Sequence, residues 1–193
     1  MKKRFRRGFR SAKYVMYKET LVDVREHFWT FIGSFCGIAL IGLLNSKILD
    51  TQENLFLIGS FGASSVLIYG IINSPFSQPR NLIGGHVISA LVGVCVQKVL
   101  PTEVWLSSAI SVSLAIVLMQ ITKTLHPPGG ATALIANIGT PKIQSLGFFY
   151  VISPVLSGVI ILFLVAVVFN NITSHRSYPR NKKWYQVWKR YKA

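Results

Sequence analysis

The chain has 193 residues, 51% of them hydrophobic and only 14% charged, yet its formal net charge is +15. A soluble domain of this length spreads roughly a quarter of its residues as charges over its surface, so these figures exclude an ordinary cytosolic enzyme. The charges are segregated: residues 1–26 hold nine Lys/Arg against three acids, residues 175–193 hold seven Lys/Arg and no acid, and residues 27–174 hold five basic and three acidic groups. A near-neutral apolar body between two basic ends reads as an all-α integral membrane protein.

Three regions follow: a basic segment over 1–26, a transmembrane domain over 27–174, and a basic aromatic tail over 175–193. In the first, Tyr14, Tyr17, Leu21, Val24 and Phe28 recur at spacings of three and four, with Lys18, Glu19, Asp23 and Glu26 off that stripe. This predicts an amphipathic helix along the membrane surface. The segment is long for the basic part of a signal peptide and no small-x-small cleavage site follows Asn45, so the first span is expected to be retained.

A helix needs roughly 20 mostly apolar residues to cross a bilayer. Four runs meet that need, at about Phe28–Asn45, Leu82–Gln97, Val104–Thr122 and Leu146–Phe169. Two further apolar stretches, about Leu55–Ile72 and Leu125–Ile138, are interrupted by Gly, Ser or Pro. Both basic ends are expected on the cytoplasmic side of a bacterial-type cytoplasmic membrane, which makes the number of crossings even. Four crossings result if the broken stretches are re-entrant, and six if each also traverses. At the C-terminal end, Trp184, Val187, Trp188 and Tyr191 among Lys182, Lys183, Lys189 and Arg190 predict a second interfacial helix.

The basic flanks lie outside apolar spans, where anionic headgroups attract them, so lipid rather than nucleic acid is the expected partner. Cys36 and Cys95 sit in apolar stretches without metal-ligand spacing, and no metal or cofactor is expected. The only acids in the body are Asp50, Glu53 and Glu103. With no paired carboxylate, no Ser-His-Asp set and no Cys-His nucleophile, the chain is not expected to be an enzyme.

Order across the halves suggests a repeat. Gly62-Ala63-Ser64-Ser65 resembles Gly130-Ala131-Thr132-Ala133, and Val87-Ile88-Ser89 matches Val151-Ile152-Ser153. Each half then reads as an intact span, a broken segment, a Pro-containing loop and another intact span. With three crossings per half the two halves would be inverted, as in many transporters.

The broken segments carry the chemistry. In the second, the residue before each proline is pushed out of helical space, so His126 and Pro127 are expected to be extended, with a helix from Pro128 to about Ile138. Starting near the midplane, this helix would offer first-turn N–H groups and a partial positive charge to an anion. Gly129 and Gly130 would leave those groups open, with Ala131 beside them and Thr132 adding a hydroxyl. The first segment supplies a second helix end at Ser60, Gly62, Ala63, Ser64 and Ser65. Converging N-termini would form an anion site from backbone donors and the hydroxyls of Ser60, Ser64, Ser65 and Thr132. Alternatively, the small residues of the Gly62 cluster only let helices pack closely.

His126 is either a proton-coupled gate or electrostatic partner of the anion, or a neutral imidazole bonded to a freed backbone carbonyl. Arg80 and Asn81, in the loop from Asn73, and His86 are placed at a vestibule, where Arg80 either recruits an anion or obeys the positive-inside rule.

His126-Pro127-Pro128-Gly129-Gly130-Ala131-Thr132-Ala133 resembles the signature of the HPP family of membrane proteins. Gly62-Ala63-Ser64, Pro75-Phe76-Ser77-Gln78-Pro79-Arg80-Asn81 and Gly84-Gly85-His86 are similar to its other block. The resemblance covers about residues 27–170. It implies four membrane spans and transport, and, through plant chloroplast members linked to nitrite, a small monovalent anion as substrate with nitrite in the lead. A body this small also calls for neighbours to enclose a path, hence a homo-oligomer. The alternative is a non-transporting membrane scaffold that recruits a partner or anionic lipid.

Overall fold

The computed structural model describes residues 24–48 and 57–181. The described residues form seven α-helices: α1 Val24–Ile48, α2 Gly59–Ser65, α3 Pro79–Val99, α4 Val104–Ile121, α5 Pro127–Ile138, α6 Pro141–Ser145 and α7 Ser157–Phe169. α2 continues into a π-helical turn over Val66–Gly70, and a second such stretch, Val151–Leu156, leads into α7. Four stretches are long and apolar enough to cross a membrane: Val24–Ser46, Pro79–Val99, Val104–Ile121 and Val151–Phe169. The interfacial helix expected at the N-terminal end falls mostly outside the described residues, and the one expected over Trp184 to Tyr191 wholly so.

Directions follow from side-chain neighbours. At one end of the bundle, here the near end, Glu26 of α1 pairs with Arg176 Nε at 3.0 Å and His175 Nε2 at 2.7 Å. The Thr30 hydroxyl donates to Tyr69 O at 2.9 Å, and Arg176 donates to the same oxygen at 2.7 Å. Further along α1, Gly33 and Gly37 receive the Tyr69 ring, and Gly42 faces Leu57. Residues 57–70 therefore run antiparallel to α1. Phe169 lies against Gly33 and Leu162 against Gly37, so α7 is antiparallel to α1 as well. Tyr178, buried beyond α7, donates its hydroxyl to Ser77 O at 2.7 Å just ahead of α3, so α3 also starts at the near end. Burial raises the Tyr178 pKa and keeps this phenol a donor.

The short connection after Val99 turns α4 back, and Arg80 donates to Thr122 O at 2.8 Å where α4 ends. There Lys123 adopts the left-handed conformation (φ 56°) and Thr124 N bonds Met119 O at 2.8 Å, which reverses the chain into the bundle. α5 then runs parallel to α3. A Cβ on Gly85 would stand 2.5 Å from His126 Cβ, one on Gly129 2.7 Å from Ser89 Oγ, and one on Gly93 2.6 Å from Ala133 O. A four-residue ladder of small residues thus seats the two helices against each other.

Six segments alternate in direction, four of them long enough to cross and two short: α1, α2 with its π turn, α3, α4, α5, and α7 with its own π stretch. The first three and the last three therefore have opposite sense, as an inverted repeat of three segments per half requires. The tripeptide match does not mark it, however: Val87 lies eight residues into α3, whereas Val151 opens the stretch before α7. The intact span expected from Leu146 is also broken. Ser153 leaves helical space (φ −138°, ψ 122°) because Pro154 follows, and regular α-helix begins only at Ser157.

Candidate functional site

The local sequence dictates how α5 begins. His126 is extended as expected (φ −136°, ψ 106°), but Pro127, expected to be extended too, is already helical: it and Pro128 occupy the first two helical positions, where a preset φ favours the helix. The helix stops at Gly139, ahead of Thr140-Pro141. Because His126 lies beside Gly85, six residues after Pro79, α5 begins ~9 Å inside the near end, at 1.5 Å per residue. That is nearer the surface than the midplane expected, because Thr122 and Lys123 are spent on the reversal. Asn81 holds the inward stretch by donating to Leu125 O at 2.6 Å.

Four fully buried polar side chains meet where α2, α3 and α5 touch. Ser64 Oγ is 2.7 Å from His86 Nε2 and 2.9 Å from His126 Nε2. His86 Nδ1 is 2.7 Å from Thr132 Oγ1, and His126 Nδ1 is 2.8 Å from Phe76 O. The two imidazole centroids are 4.9 Å apart, and the edge of Phe61 closes on His86 at 5.7 Å. Tyr150, also buried, donates its hydroxyl to Thr132 O at 3.0 Å.

The partners fix the hydrogens. Phe76 O can only accept, so His126 Nδ1 carries a proton and, in the neutral ring, Nε2 is an acceptor. The single Ser64 hydrogen must go to that nitrogen, so Ser64 accepts from His86 Nε2–H. His86 Nδ1 is then an acceptor for the Thr132 hydroxyl. One directed chain results, from Thr132 through His86, Ser64 and His126 to the Phe76 carbonyl, with every ring nitrogen satisfied. The neutral, carbonyl-bonded imidazole is one of the two roles open to His126 from sequence.

The other residues singled out from sequence fall into distinct places. Ser60 and Ser65 are buried on α2, and neither hydroxyl has a hydrogen-bond partner among the described residues. Gly62 and Ala63 are exposed. Gly62 and Ser65 line a groove of about 480 Å³ between α2 and the Phe31, Phe35 and Ile38 side chains of α1. Pro127 is exposed, Pro128 and Gly129 are buried, and Gly130 and Ala131 are partly buried.

Two expectations need correction. The broken helices do not meet N-terminus to N-terminus: they overlap side by side and antiparallel, joining Ser64, near the C-terminal end of α2, to the N-cap of α5 at His126. The first turn of α5 is also poor in donors, since Pro127 and Pro128 have no N–H and Gly129 N bonds His126 O at 2.8 Å. Gly129 serves helix contact, since a Cβ there meets Ser89 Oγ, Met119 Sδ and Gly85 O, whereas at Gly130 the nearest atom is Val112 Cγ1 at 3.8 Å.

His86, placed at the vestibule from sequence, is instead fully buried in the cluster, while Arg80 remains exposed at the near end. Phe76 O and Tyr150 escaped the sequence reading, because a backbone acceptor carries no residue signature and Tyr150 stands outside both broken segments. The Gly85-x-x-x-Ser89-x-x-x-Gly93 stripe was a usable signal that α3 is the packing partner of α5.

A sequence model of the HPP transmembrane region matches residues 19–179. One transmembrane protein of Dictyostelium discoideum is 46% identical over 161 residues, covering 81% of this chain and 56% of the relative. A second from the same organism is 44% identical over 162 residues, covering 81% of this chain and 51% of its own. The chain thus spans about half the length of the curated relatives it matches. No solved structure is similar to it.

Proposed function

The chain belongs to the HPP family of transmembrane proteins, and from that premise we propose that it is a transporter or channel for a small monovalent anion, with nitrite the leading candidate. The observation that carries this reading is the crossing of α2 and α5, two interrupted helices from opposite halves, at a closed set of hydroxyls and imidazoles inside the bundle. Transporters built from inverted halves place their substrate at such an interface, where irregular backbone is tolerated because it lines a path. Ser60 and Ser65, whose buried hydroxyls lack partners among the described residues, supply donors on α2. Gly130 leaves room on the side of α5 that faces α4, where the nearest atom to an added Cβ is Val112 Cγ1 at 3.8 Å. Selectivity would rest on these neutral donors, with the dipole of α5 adding a weak bias.

In this reading the protein does no covalent chemistry. Its basic ends lie against anionic lipid on the cytoplasmic side of a cytoplasmic membrane, and neighbouring copies complete the enclosure of the path.

The test is flux of nitrite, nitrate, formate and chloride into proteoliposomes of purified protein, against protein-free vesicles that report leakage of the free acids. Gly130→Leu, verified as folded, is the control. Selective flux lost in that variant supports the crossing as the site, whereas no flux of any of the four ions favours the scaffold alternative.

A further inference from the structure

We propose that the His86–Ser64–His126 cluster binds one proton for each anion carried, making transport an electroneutral proton–anion symport; this rests on the transport reading above. Two features lead there: the hydrogen-bond chain can be redrawn with one more proton and no side-chain bond lost, and among the described residues the bundle interior offers no carboxylate to balance it.

In the neutral state Thr132 donates to His86, His86 to Ser64, Ser64 to His126, and His126 to Phe76 O. Let hydronium give up one proton to the cluster and become water. His126 then carries N–H on both nitrogens and donates from Nε2 to Ser64 Oγ. The proton arrives by relay: Thr132 Oγ1 takes the incoming proton and passes its own to His86 Nδ1, His86 passes its Nε2 hydrogen to Ser64 Oγ, and Ser64 passes its hydrogen to His126 Nε2. Ser64 then donates to His86 Nε2, and His86 Nδ1–H donates to Thr132 Oγ1. The Thr132 hydrogen turns to Pro128 O, which lies 3.5 Å away. Every bond between the side chains reverses and none is lost, while His126 Nδ1–H stays on Phe76 O. A second proton has no such place: with N–H on both Nε2 atoms, Ser64 would accept twice and its own hydrogen would lose both partners. The capacity is one.

The added charge needs a counterion. Between residues 57 and 181 the only acid is Glu103, exposed at the start of α4 at the far end, and in α1 the only one is Glu26, committed to His175 and Arg176 at the near end. The groups facing the two rings are Ser64 and Phe61 from α2, Thr132 from α5 and the Phe76 carbonyl, with the Tyr150 phenol behind Thr132. None of these is an anion at neutral pH. An entering anion supplies the missing charge, and the proton in turn supplies the attraction that neutral donors lack. Each therefore favours the other's binding, and the proton returns to water when the anion departs.

The experiment uses proteoliposomes with an internal pH dye and nitrite or nitrate outside, recording proton and anion entry together and subtracting protein-free vesicles. The expected ratio is one proton per anion, unchanged by a potassium–valinomycin potential, and falling several-fold in His86→Gln and His126→Gln. Anion flux that responds to the potential and carries no protons overturns the symport and leaves the transport reading standing. A ratio that stays at one in both variants overturns the cluster's role. No anion flux at all removes the transport reading and the symport with it. Should the variants not fold, side-chain ¹⁵N spectra of the wild-type histidines decide: saturating nitrate is expected to make His126 doubly protonated, and a ring that stays neutral overturns the inference.

Discussion

The Ser64 hydroxyl stands 2.9 Å from His126 Nε2, joining the sixth residue of one interrupted helix to the N-cap of the other. The contact spans 62 residues of sequence. It also decides the tautomers, since a single hydrogen cannot serve both imidazoles.

That assignment is directly measurable. In ¹⁵N spectra of histidine-labelled protein at neutral pH, His126 is expected as the Nδ1–H tautomer and His86 as the Nε2–H tautomer. Finding the same tautomer in both rings would break the chain described above.

Removing the shared hydroxyl should be costly. Ser64→Ala leaves a buried N–H on His86 and a buried acceptor on His126 without partners, and each unsatisfied group costs about 1–3 kcal/mol. Equilibrium unfolding in detergent is expected to show a loss of roughly 2–6 kcal/mol on that scale. A loss below roughly 0.5 kcal/mol, within the range of ordinary surface changes, would mean the cluster is loosely held.

Adjacent glycines on α5 should respond in opposite ways. Gly129→Ala forces a methyl against Ser89 Oγ at 2.7 Å, Met119 Sδ at 3.0 Å and Gly85 O at 3.1 Å, and overpacking of this kind costs about 1–3 kcal/mol. Gly130→Ala meets only Val112 Cγ1, at 3.8 Å, and is expected to stabilise by about 0.4–1 kcal/mol through a less flexible unfolded chain. Thermal unfolding of the pair checks the order, and equal effects would contradict the parallel packing of α3 and α5.

At the near end, Glu26→Gln removes the charge that balances Arg176, whose side chain is 1% exposed. Breaking a fully buried pair costs about 3–5 kcal/mol, but the Glu26 side chain keeps 25% exposure, so about 1–3 kcal/mol is expected. Limited proteolysis should then cut the chain after α7 faster than in wild type. An unchanged cleavage rate would show that the hydrogen bonds of Arg176 to Tyr69 O and Thr30 hold the tail by themselves.

The six alternating segments predict sidedness. With Cys36 and Cys95 replaced by Ala, cysteines at Glu103 and Thr140 are expected to react with impermeant maleimide from one face of the membrane and a cysteine at Asn73 from the other. Labelling of all three from one face would remove the six-segment arrangement and the inverted halves with it.

The sequence by itself determined the class of structure, because the requirements of a bilayer are local. Uncharged runs of sufficient length located α1, α3 and α4, and the proline pair after His126 set the start of α5, since pre-proline sterics act on neighbouring residues alone. The Ser, Thr and His residues of the broken segments were visible for the same reason: polar groups are conspicuous in apolar runs. What only the tertiary structure decided is which of them meet. His86 lies in an intact span and carries no local sign of its depth; it reaches Ser64 and Thr132 because the Gly85, Ser89 and Gly93 face lets α5 approach α3 closely. Likewise, the overlap of α2 and α5 replaced the end-to-end meeting expected of their N-termini. Their relative height is set by where Tyr69 docks into Gly33 and Gly37 and where Lys123 turns the chain, contacts separated by tens of residues and silent in any local window.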